Sequence, residues 1–566
     1  MLSTEQLAVQ LRAGLPQPRN EHWESLSISV QMRDGASLHT RIYKPRGEGA
    51  WPVILIRNPY PNLDAFLNTT AIIFNEYGYV VVVQDCRGTG DSEGEWAPFL
   101  NERSDGLDTL TWIIRQPWMN GKIGTYGHSY LTAAQWAMAD QLPQEVKTMV
   151  LSGFTTERYR QNYMNGMFRQ DVYTGWALDN AGVEPLYPDD VFQRAAQAKP
   201  HLEMDVQVFG AQLPWYRNWI QNSSPVDDYW SKGFWAQLRE IPAKVQIPVL
   251  MVDGWFDQHV DGMIRDYGKL PLATRETSRF ILGPWVHSLT ATGDMEFPDN
   301  ERNLLADALL WFDHQLQGMD YPLAKGIVET YVVGEGRWRE WPGWPDFQSK
   351  QTWYLSGTTS NGLRLAEQSD AAVEEVMFVY DPHNPVPTRG GAGLLRYLSG
   401  AEDAAPPSSV LQMPPGARGD VISFLTEPLD EALCMVGSIV VDLYVSSDVQ
   451  DTSFSVVLME ALSDGTAVNI RDGITSLSYR NGAVRPVSYK PGSIVHVEIS
   501  LWPIAWTLRK GSQLRLDISS SNFPAYHAHA NMAGPWAEQT ESRIARQHIH
   551  FGGHYPSRIS IPFERR

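Results

Sequence analysis

Cysteine is almost absent: Cys86 and Cys434 are the whole supply in a chain of 566 residues. Two thiols so far apart exclude a disulfide framework and a four-cysteine metal site, and they suit a reducing compartment. No apolar run reaches transmembrane length. The opening stretch "MLSTEQLAVQLRAGLPQPRN" carries charge where a signal peptide would be apolar. The expectation is a cytoplasmic protein with no membrane partner. Positive charge is also in deficit, with 46 Lys and Arg against 65 Asp and Glu for a formal charge of −19. Such a surface repels phosphate backbones, which argues against a nucleic-acid partner. Internal repeats, low-complexity tracts and long charge runs are missing too.

What remains is the composition of a globular protein, 43% hydrophobic and 20% charged. The length calls for about two to four domains. Tryptophan is plentiful, with 21 residues. Most read as buried ring anchors, and a minority as lining for an apolar or aromatic ligand.

Apolar, β-branched runs alternate with amphipathic stretches through the first third. "VILIRN" (53–58), "VVVVQD" (80–85), "IGTYGH" (123–128) and "MVLSG" (149–153) read as strands buried on both faces. "SDGLDTLTWIIRQ" (104–116) reads as a helix capped by Ser104, and the stretch up to residue 140 as a second. This alternation predicts a mostly parallel, doubly wound α/β sheet. Residues 154–243 are aromatic, polar and helix-like, which suggests an inserted helical cap. "IPVLMVDGWFD" (247–257) and "RFILGPWVH" (279–287) resume the buried-strand pattern, and "NERNLLADALLWFDHQLQG" (300–318) reads as an amphipathic helix. From 351 to 566, short alternating strands such as "SFSVVLMEALS" and "SQLRLDISS" predict a β-sandwich of jelly-roll type. The segments are therefore 1–153, 154–243, 244–350 and 351–566.

Ser129 falls between a predicted strand and a predicted helix, in the frame Gly127-His128-Ser129-Tyr130-Leu131. A nucleophile elbow needs this placement: a tight turn exposes Oγ, and helix-start amides face an oxyanion. The frame lacks its usual second glycine, and a helix N-cap explains a lone serine equally well. The order serine, acid, histidine must follow. "VLMVDGWFDQHVDG" offers Asp253 inside the strand, Asp257 just past it, and Asp261 at the next helix start, where capping explains it. Asp257 is the choice, because a carboxylate in a loop past the strand can reach an imidazole. His287 follows the next strand. His287 would take the Ser129 proton while Asp257 fixes its tautomer. His128 should point beneath the elbow, and His259 either lines the pocket mouth or is a solvated loop histidine. His548, His550 and His554 offer three ligands, but without a nearby cysteine or acidic pair no metal is expected. The Tyr130 amide is an oxyanion donor by position, and Tyr60 of "RNPY" can reach over the site as a phenol donor. No cofactor is required by such a mechanism.

Together "RNPY", "DCRGTGDSEGEW", "GHSYL", "GWFD", "GPWVHS", "WFDHQLQG", "YDPHNPVPTRGG" and "SSSNFP" resemble the cocaine esterase and X-Pro dipeptidyl-peptidase family, also called CocE/NonD hydrolases. The resemblance runs through nearly the whole chain. It implies an α/β-hydrolase core, a helical cap inserted before the acid, and a C-terminal jelly roll, with the active site where the three meet. It also implies Ser129, Asp257 and His287 as the triad, with Tyr60 and the Tyr130 amide as oxyanion donors. The family's serine motif resembles Gly-x-Ser-Tyr-x-Gly, which frees the Leu131 position but puts Thr132 where the family has glycine.

Trp255, Phe256 and His259 around the acid, with Arg160, Phe168 and Trp176 from the cap segment, are the candidate pocket residues. X-Pro dipeptidyl-peptidases resemble longer chains, whereas "SLSISVQMRDGASLHTRIYKP" already looks like the core's first strands. α-Amino-acid ester hydrolases bear carboxylates beside the triad acid, where this chain has His259 and Val260. The reading is therefore a carboxylic ester hydrolase, with amides, an acylase role and the two amine-recognising activities as alternatives. Arg158, Arg160 or Arg169 would favour a carboxylate-bearing acyl group, although a solvated cap face is the plainer explanation. A silent, hydrolase-shaped binding protein is the remote alternative. The expected partner is a small ester or amide substrate, and a homodimer is left open.

Overall fold

The computed structural model describes residues 4–345, 347–393 and 406–564. Twelve strands carry the described chain through its first two thirds: β1 (Trp23–Gln31), β2 (Ser37–Pro45), β3 (Trp51–Asn58), β4 (Val80–Asp85), β5 (Met119–His128), β6 (Val146–Ser152), β7 (Tyr163–Met164), β8 (Met167–Phe168), β9 (Val249–Phe256), β10 (Arg279–Val286), β11 (Ile327–Val332) and β12 (Arg337–Trp341). All but β7 and β8 form one sheet in the order β1-β2-β4-β3-β5-β6-β9-β10-β11-β12. Neighbours from β4 to β11 run parallel. The antiparallel pairings of β1 with β2, β2 with β4 and β11 with β12 close the edges.

The continuous apolar runs mark the central strands because both faces are covered. On β3, Val53 and Leu55 join the cluster holding Leu110 and Ile113, while Ile54 and Ile56 join the one holding Phe74 and Phe312. Helices Glu102–Ile114 and Leu304–Phe312 thus press on opposite faces of the sheet. The first of these starts earlier than its sequence suggests. Asn101, not Ser104, occupies the N-cap position, and Ser104 lies within the first turn with its hydroxyl donating back to the Asn101 carbonyl at 3.2 Å. The reason is tertiary: Glu102 and Asp105 are drawn inward to the buried Arg57 and to Arg87.

Between β6 and β9 the chain leaves the sheet for short helices, including Arg158–Asn162, Gln170–Asp179, Pro214–Gln221 and Gly233–Arg239. The antiparallel pair β7 and β8 is an addition that the helix-like sequence did not suggest. Asp266, on the helix Val260–Lys269, ties this insertion to the core. Its carboxylate accepts the Thr155 hydroxyl (2.6 Å), the Thr156 amide (2.7 Å) and the Thr156 hydroxyl (2.6 Å).

The remaining chain forms a large C-terminal β-sheet domain, with eleven strands among the described residues. Its longest strand, Leu433–Ser447, pairs with Val495–Leu508, Ala545–Phe551 and Arg558–Pro562. Main-chain bonds join it to the core (Thr507 N–H to the Val333 carbonyl, 2.7 Å). The Phe168 amide of the insertion donates to His527 Nδ1 at 3.0 Å. Among the described residues no helix is long and apolar enough to cross a membrane.

Candidate active site

β5 delivers Ser129 into a turn before the helix Tyr130–Met138. Ser129 holds φ 58°, ψ −124°, a strained conformation for a residue with a side chain. The neighbours explain why this turn persists. A methyl group on Gly127 would overlap Leu131 Cβ, so strand and helix approach only because Gly127 has none. Thr132, in the place of a glycine, is fully buried and works as a clasp. Its hydroxyl lies 2.8 Å from both the Gly127 and Ser152 carbonyls and accepts the Ser152 amide at 2.9 Å. The strand–helix contact is therefore tight despite the added side chain.

Ser129 Oγ lies 3.0 Å from His287 Nε2, and His287 Nδ1 lies 2.7 Å from Asp257 Oδ2. The other Asp257 oxygen accepts the His259 amide at 2.8 Å. With Asp257 as acceptor, Nδ1 carries the imidazole proton and Nε2 is free to receive one from Ser129. Burial by itself would raise the Asp257 carboxyl, but the charge and hydrogen bond of His287 outweigh it and hold the group well below the usual carboxylate range. Asp253, four residues earlier, goes the other way: burial, then the neighbouring Asp257 charge, push it well above that range. Two neighbouring carboxyls are thus pushed in opposite directions. Asp261 is not a cap; it pairs with Arg265 one turn on at 2.8 Å.

His128 sits under the elbow, its Nδ1 3.2 Å from Ser152 Oγ and its ring 4.7 Å from that of His287. Burial, assisted by His287, pushes it down to about 3, so it is neutral beneath the site. Gly153, with φ 58°, leaves no room for a side chain against that ring. Tyr60 is held by its own turn, where its amide and carbonyl both bond the Asn58 side chain. Its phenol oxygen accepts Trp176 Nε1 at 3.0 Å, which leaves the hydroxyl proton for a second acceptor. Burial pushes this phenol up to about 12, and it lines the same cavity as Ser129. Tyr130 begins its helix, so its amide is one of the donors that no helical carbonyl satisfies.

These groups open onto a cavity lined by Tyr60, Ser129, Tyr130, Trp176, His259 and His287, together with Phe99, Phe154, Arg158, Val172, Tyr173 and Gln258. Of the residues expected in the pocket, Trp176 and His259 line it. His259 is buried against Phe154 and bonded to Gln161, not solvated. Trp255 and Phe256 do not line it. Both are core residues of β9: the Trp255 indole donates to the Tyr331 carbonyl at 2.7 Å, and Phe256 packs on Phe297. Phe168 is turned away to stack on Trp536. Arg160 is exposed, because two helical steps from Arg158 place it on the opposite side of the helix Arg158–Asn162. Val172 and Tyr173 precede Trp176 by four and three residues, so helical spacing from Trp176 would have found them. Phe99 comes from a loop and carried no such signal.

Asp257, His259 and His287 also bring one ligand atom each within 4.8 Å of one another, a spacing that would admit a metal ion. The Asp257 oxygens and His287 Nδ1 are already committed to the hydrogen bonds above. His548 and His550 do share a face of their strand, with parallel rings 6.0 Å apart against Glu375, but His554 lies beyond the strand in solvent.

Comparison with known proteins identifies the family of the chain. The X-Pro dipeptidyl-peptidase (S15 family) model matches residues 34–289, and the X-Pro dipeptidyl-peptidase C-terminal non-catalytic domain model matches 311–560. Cocaine esterase of Rhodococcus sp. (strain MB1 Bresler) is 31% identical over 581 aligned positions, spanning 95% of this chain and 98% of the esterase. An aminopeptidase from a marine sediment Thaumarchaeota archaeon shares the fold with a TM-score of 0.80 at 21% identity, covering 98% of this chain and 99% of its own. An α-amino acid ester hydrolase does so at 0.78 and 22%, covering 97% and 98%. The chain belongs to the CocE/NonD and X-Pro dipeptidyl-peptidase family and is a serine hydrolase of the kind related to cocaine-esterase-like carboxylesterases.

Proposed function

We propose that the protein hydrolyses carboxylic esters of small acyl groups through an acyl-enzyme on Ser129. The observation that carries this reading is the continuous relay from Ser129 Oγ through His287 to Asp257 at the wall of an aromatic cavity. His287 Nε2 takes the hydroxyl proton as Oγ attacks the carbonyl carbon, and Asp257 stabilises the imidazolium. The carbonyl oxygen gains charge and is met by the Tyr130 amide and the Tyr60 hydroxyl. Collapse of the tetrahedral intermediate expels the alcohol, which receives the proton from His287. Water, deprotonated by the same imidazole, then releases the acid. In this reading the residues 1–153 and 244–350 supply the core, 154–243 the cap that lines the cavity, and 351–566 the covering β domain.

Activities that recognise a free α-amine are the weaker reading. Among the described residues lining the cavity there is no carboxylate to meet an ammonium group, and the charged side chain present is Arg158. We place the protein in a reducing compartment such as the cytoplasm, where the buried, free Cys86 and Cys434 stay thiols. A homodimer is to be tested by sedimentation.

The test is paired kcat/KM values for p-nitrophenyl butyrate and Ala-Pro-p-nitroanilide, with Ser129→Ala as the blank. Fast ester turnover that vanishes in the variant, with little anilide cleavage, is expected. Preferred anilide cleavage would overturn the ester reading. Failure of an organophosphonate to label Ser129 would leave only a hydrolase-shaped binding protein.

A further inference from the structure

The cavity that holds Ser129 contains a cation with no acidic partner among the described residues. Arg158 is 4% exposed and lies in the first turn of the helix Arg158–Asn162. Its guanidinium carbon stands 4.5 Å from the Trp219 ring centre, 4.6 Å from Tyr173, 4.9 Å from Phe99 and 5.9 Å from Trp235. Four aromatic rings offer their π-electrons to the charge, but they do not neutralise it. Among the described residues no carboxylate lies within ion-pair distance of Arg158, and its Nε is buried without a hydrogen-bond partner. Three other buried arginines show the usual arrangement: Arg57 has Glu102 at 2.6 Å, Arg279 has Glu329 at 2.7 Å, and Arg515 has Asp517 at 2.6 Å. Among the described residues, buried Arg169 and Arg471 lack such a pair, but neither lines the cavity that holds Ser129. A buried guanidinium is normally paired in this way, because an isolated one forfeits its hydration.

A second group in the same cavity has the same deficit. Among the described residues the buried Tyr173 hydroxyl has no hydrogen-bond partner, and both Arg158 and Tyr173 line the cavity that holds Ser129 and His287. A charged fork of N–H donors and a phenol donor facing one apolar space call for an anionic acceptor with two oxygens. The walls around them, Phe99, Phe154 and Val172, suit the short hydrocarbon that would connect such an anion to the ester.

Resting on the hydrolase reading above, we infer that Arg158 with Tyr173 is the receptor for a carboxylate carried by the substrate, so that the preferred substrates are acidic esters. The carboxylate receives the Arg158 N–H bonds and the Tyr173 O–H, and the pair holds the scissile carbonyl before Ser129. Arg158 is thus a specificity-determining residue. It separates this pocket from one that grips an ammonium group, which would need the opposite charge at that wall. Arg160, on the far side of the helix, has no part in it.

The carboxylate can ride on the acyl or on the alcohol portion, and two substrate pairs distinguish these. Mono-p-nitrophenyl adipate against p-nitrophenyl hexanoate tests the acyl side. 3-Acetoxybenzoate against phenyl acetate tests the alcohol side. The wild-type protein should favour the acidic member of at least one pair by about 10-fold or more in kcat/KM. In Arg158→Leu that ratio should collapse, chiefly through KM, and Arg158→Lys should restore part of it. Tyr173→Phe should lower the same ratio by a smaller factor. No acidic preference in either pair, or a preference that survives Arg158→Leu, would overturn the inference. Because the reading is a ratio within one variant, a general loss of activity or of folded protein does not imitate it. Turnover of both neutral esters without acidic preference would sink the receptor while leaving the hydrolase intact. No turnover at all, with Ser129 unlabelled by an organophosphonate, would sink the hydrolase reading itself.

Discussion

The Tyr130 hydroxyl donates to Glu102 Oε1 at 2.9 Å while the other Glu102 oxygen takes Arg57 Nη1 at 2.6 Å. The same phenol accepts the Phe99 amide at 2.6 Å, and its ring stacks on Phe99 at 4.3 Å. The residue whose amide faces the proposed oxyanion is therefore moored to a buried ion pair. It also anchors the loop that contributes Phe99 to the cavity. Tyr130→Phe keeps the ring and the amide but strands two buried polar partners. We expect it to cost about 1–3 kcal/mol of stability and to lower kcat for esters with a smaller change in KM. Urea unfolding together with ester kinetics checks both; unchanged stability would show that the mooring does not matter.

Tyr60 gives a sharper result. Its phenol stays protonated well into alkaline solution because burial pushes it up to about 12. If it donates to the oxyanion, Tyr60→Phe should reduce kcat by about 100- to 1000-fold. Organophosphonate labelling of Ser129 should persist at a reduced rate, and the alkaline limb of the profile below about pH 11 should not belong to this residue. A loss of less than 10-fold would assign Tyr60 to the packing of Trp176.

Strain at Ser129 is a separate expectation. A residue with φ 58° and ψ −124° sits where glycine is comfortable and serine is not. Ser129→Gly should abolish ester turnover yet melt at or above the wild-type temperature, because the nucleophile is kept at the expense of stability. A clear fall in melting temperature would mean that the serine side chain contributes packing that outweighs the strain.

Acid should destabilise the protein through its buried imidazoles. Burial pushes His201 down to about 4, with Asp205 opposing only in part, and the unfolded value is near 6.5. Between these values the unfolded chain binds more protons than the native one, so stability falls as pH drops from about 6.5 towards 4. The full loss from this one group amounts to roughly 3 kcal/mol. His128, at about 3, acts in the same direction over a wider range. His201→Gln should flatten the dependence of the urea midpoint on pH between 7 and 4.5, whatever it does to the midpoint at pH 7. An unchanged slope would remove His201 from the account.

Sequence alone made the central strands of the core and the candidate relay legible, because those depend on short-range pattern, whereas the pair β7 and β8 did not show in it. The run "VVVVQD" is β4 residue for residue, since a run of β-branched apolar residues suits a strand buried on both faces. Ser129, Asp257 and His287 were legible because each follows a strand end and all strand ends of a doubly wound sheet point to one side. Tertiary structure decided the pocket. Trp255, Phe256 and Phe168 look like pocket residues by type and position, yet they are turned towards Tyr331, Phe297 and Trp536 by packing with residues distant in the chain. Arg158 and Arg160 are equivalent in composition and differ only in which side of a five-residue helix they occupy. Ser104 yielded the helix start to a position set by the acids that Arg57 and Arg87 draw inward. Local sequence sets the backbone path, but which side chains face a common cavity depends on how cap, core and β domain pack. Only the folded chain contains that information.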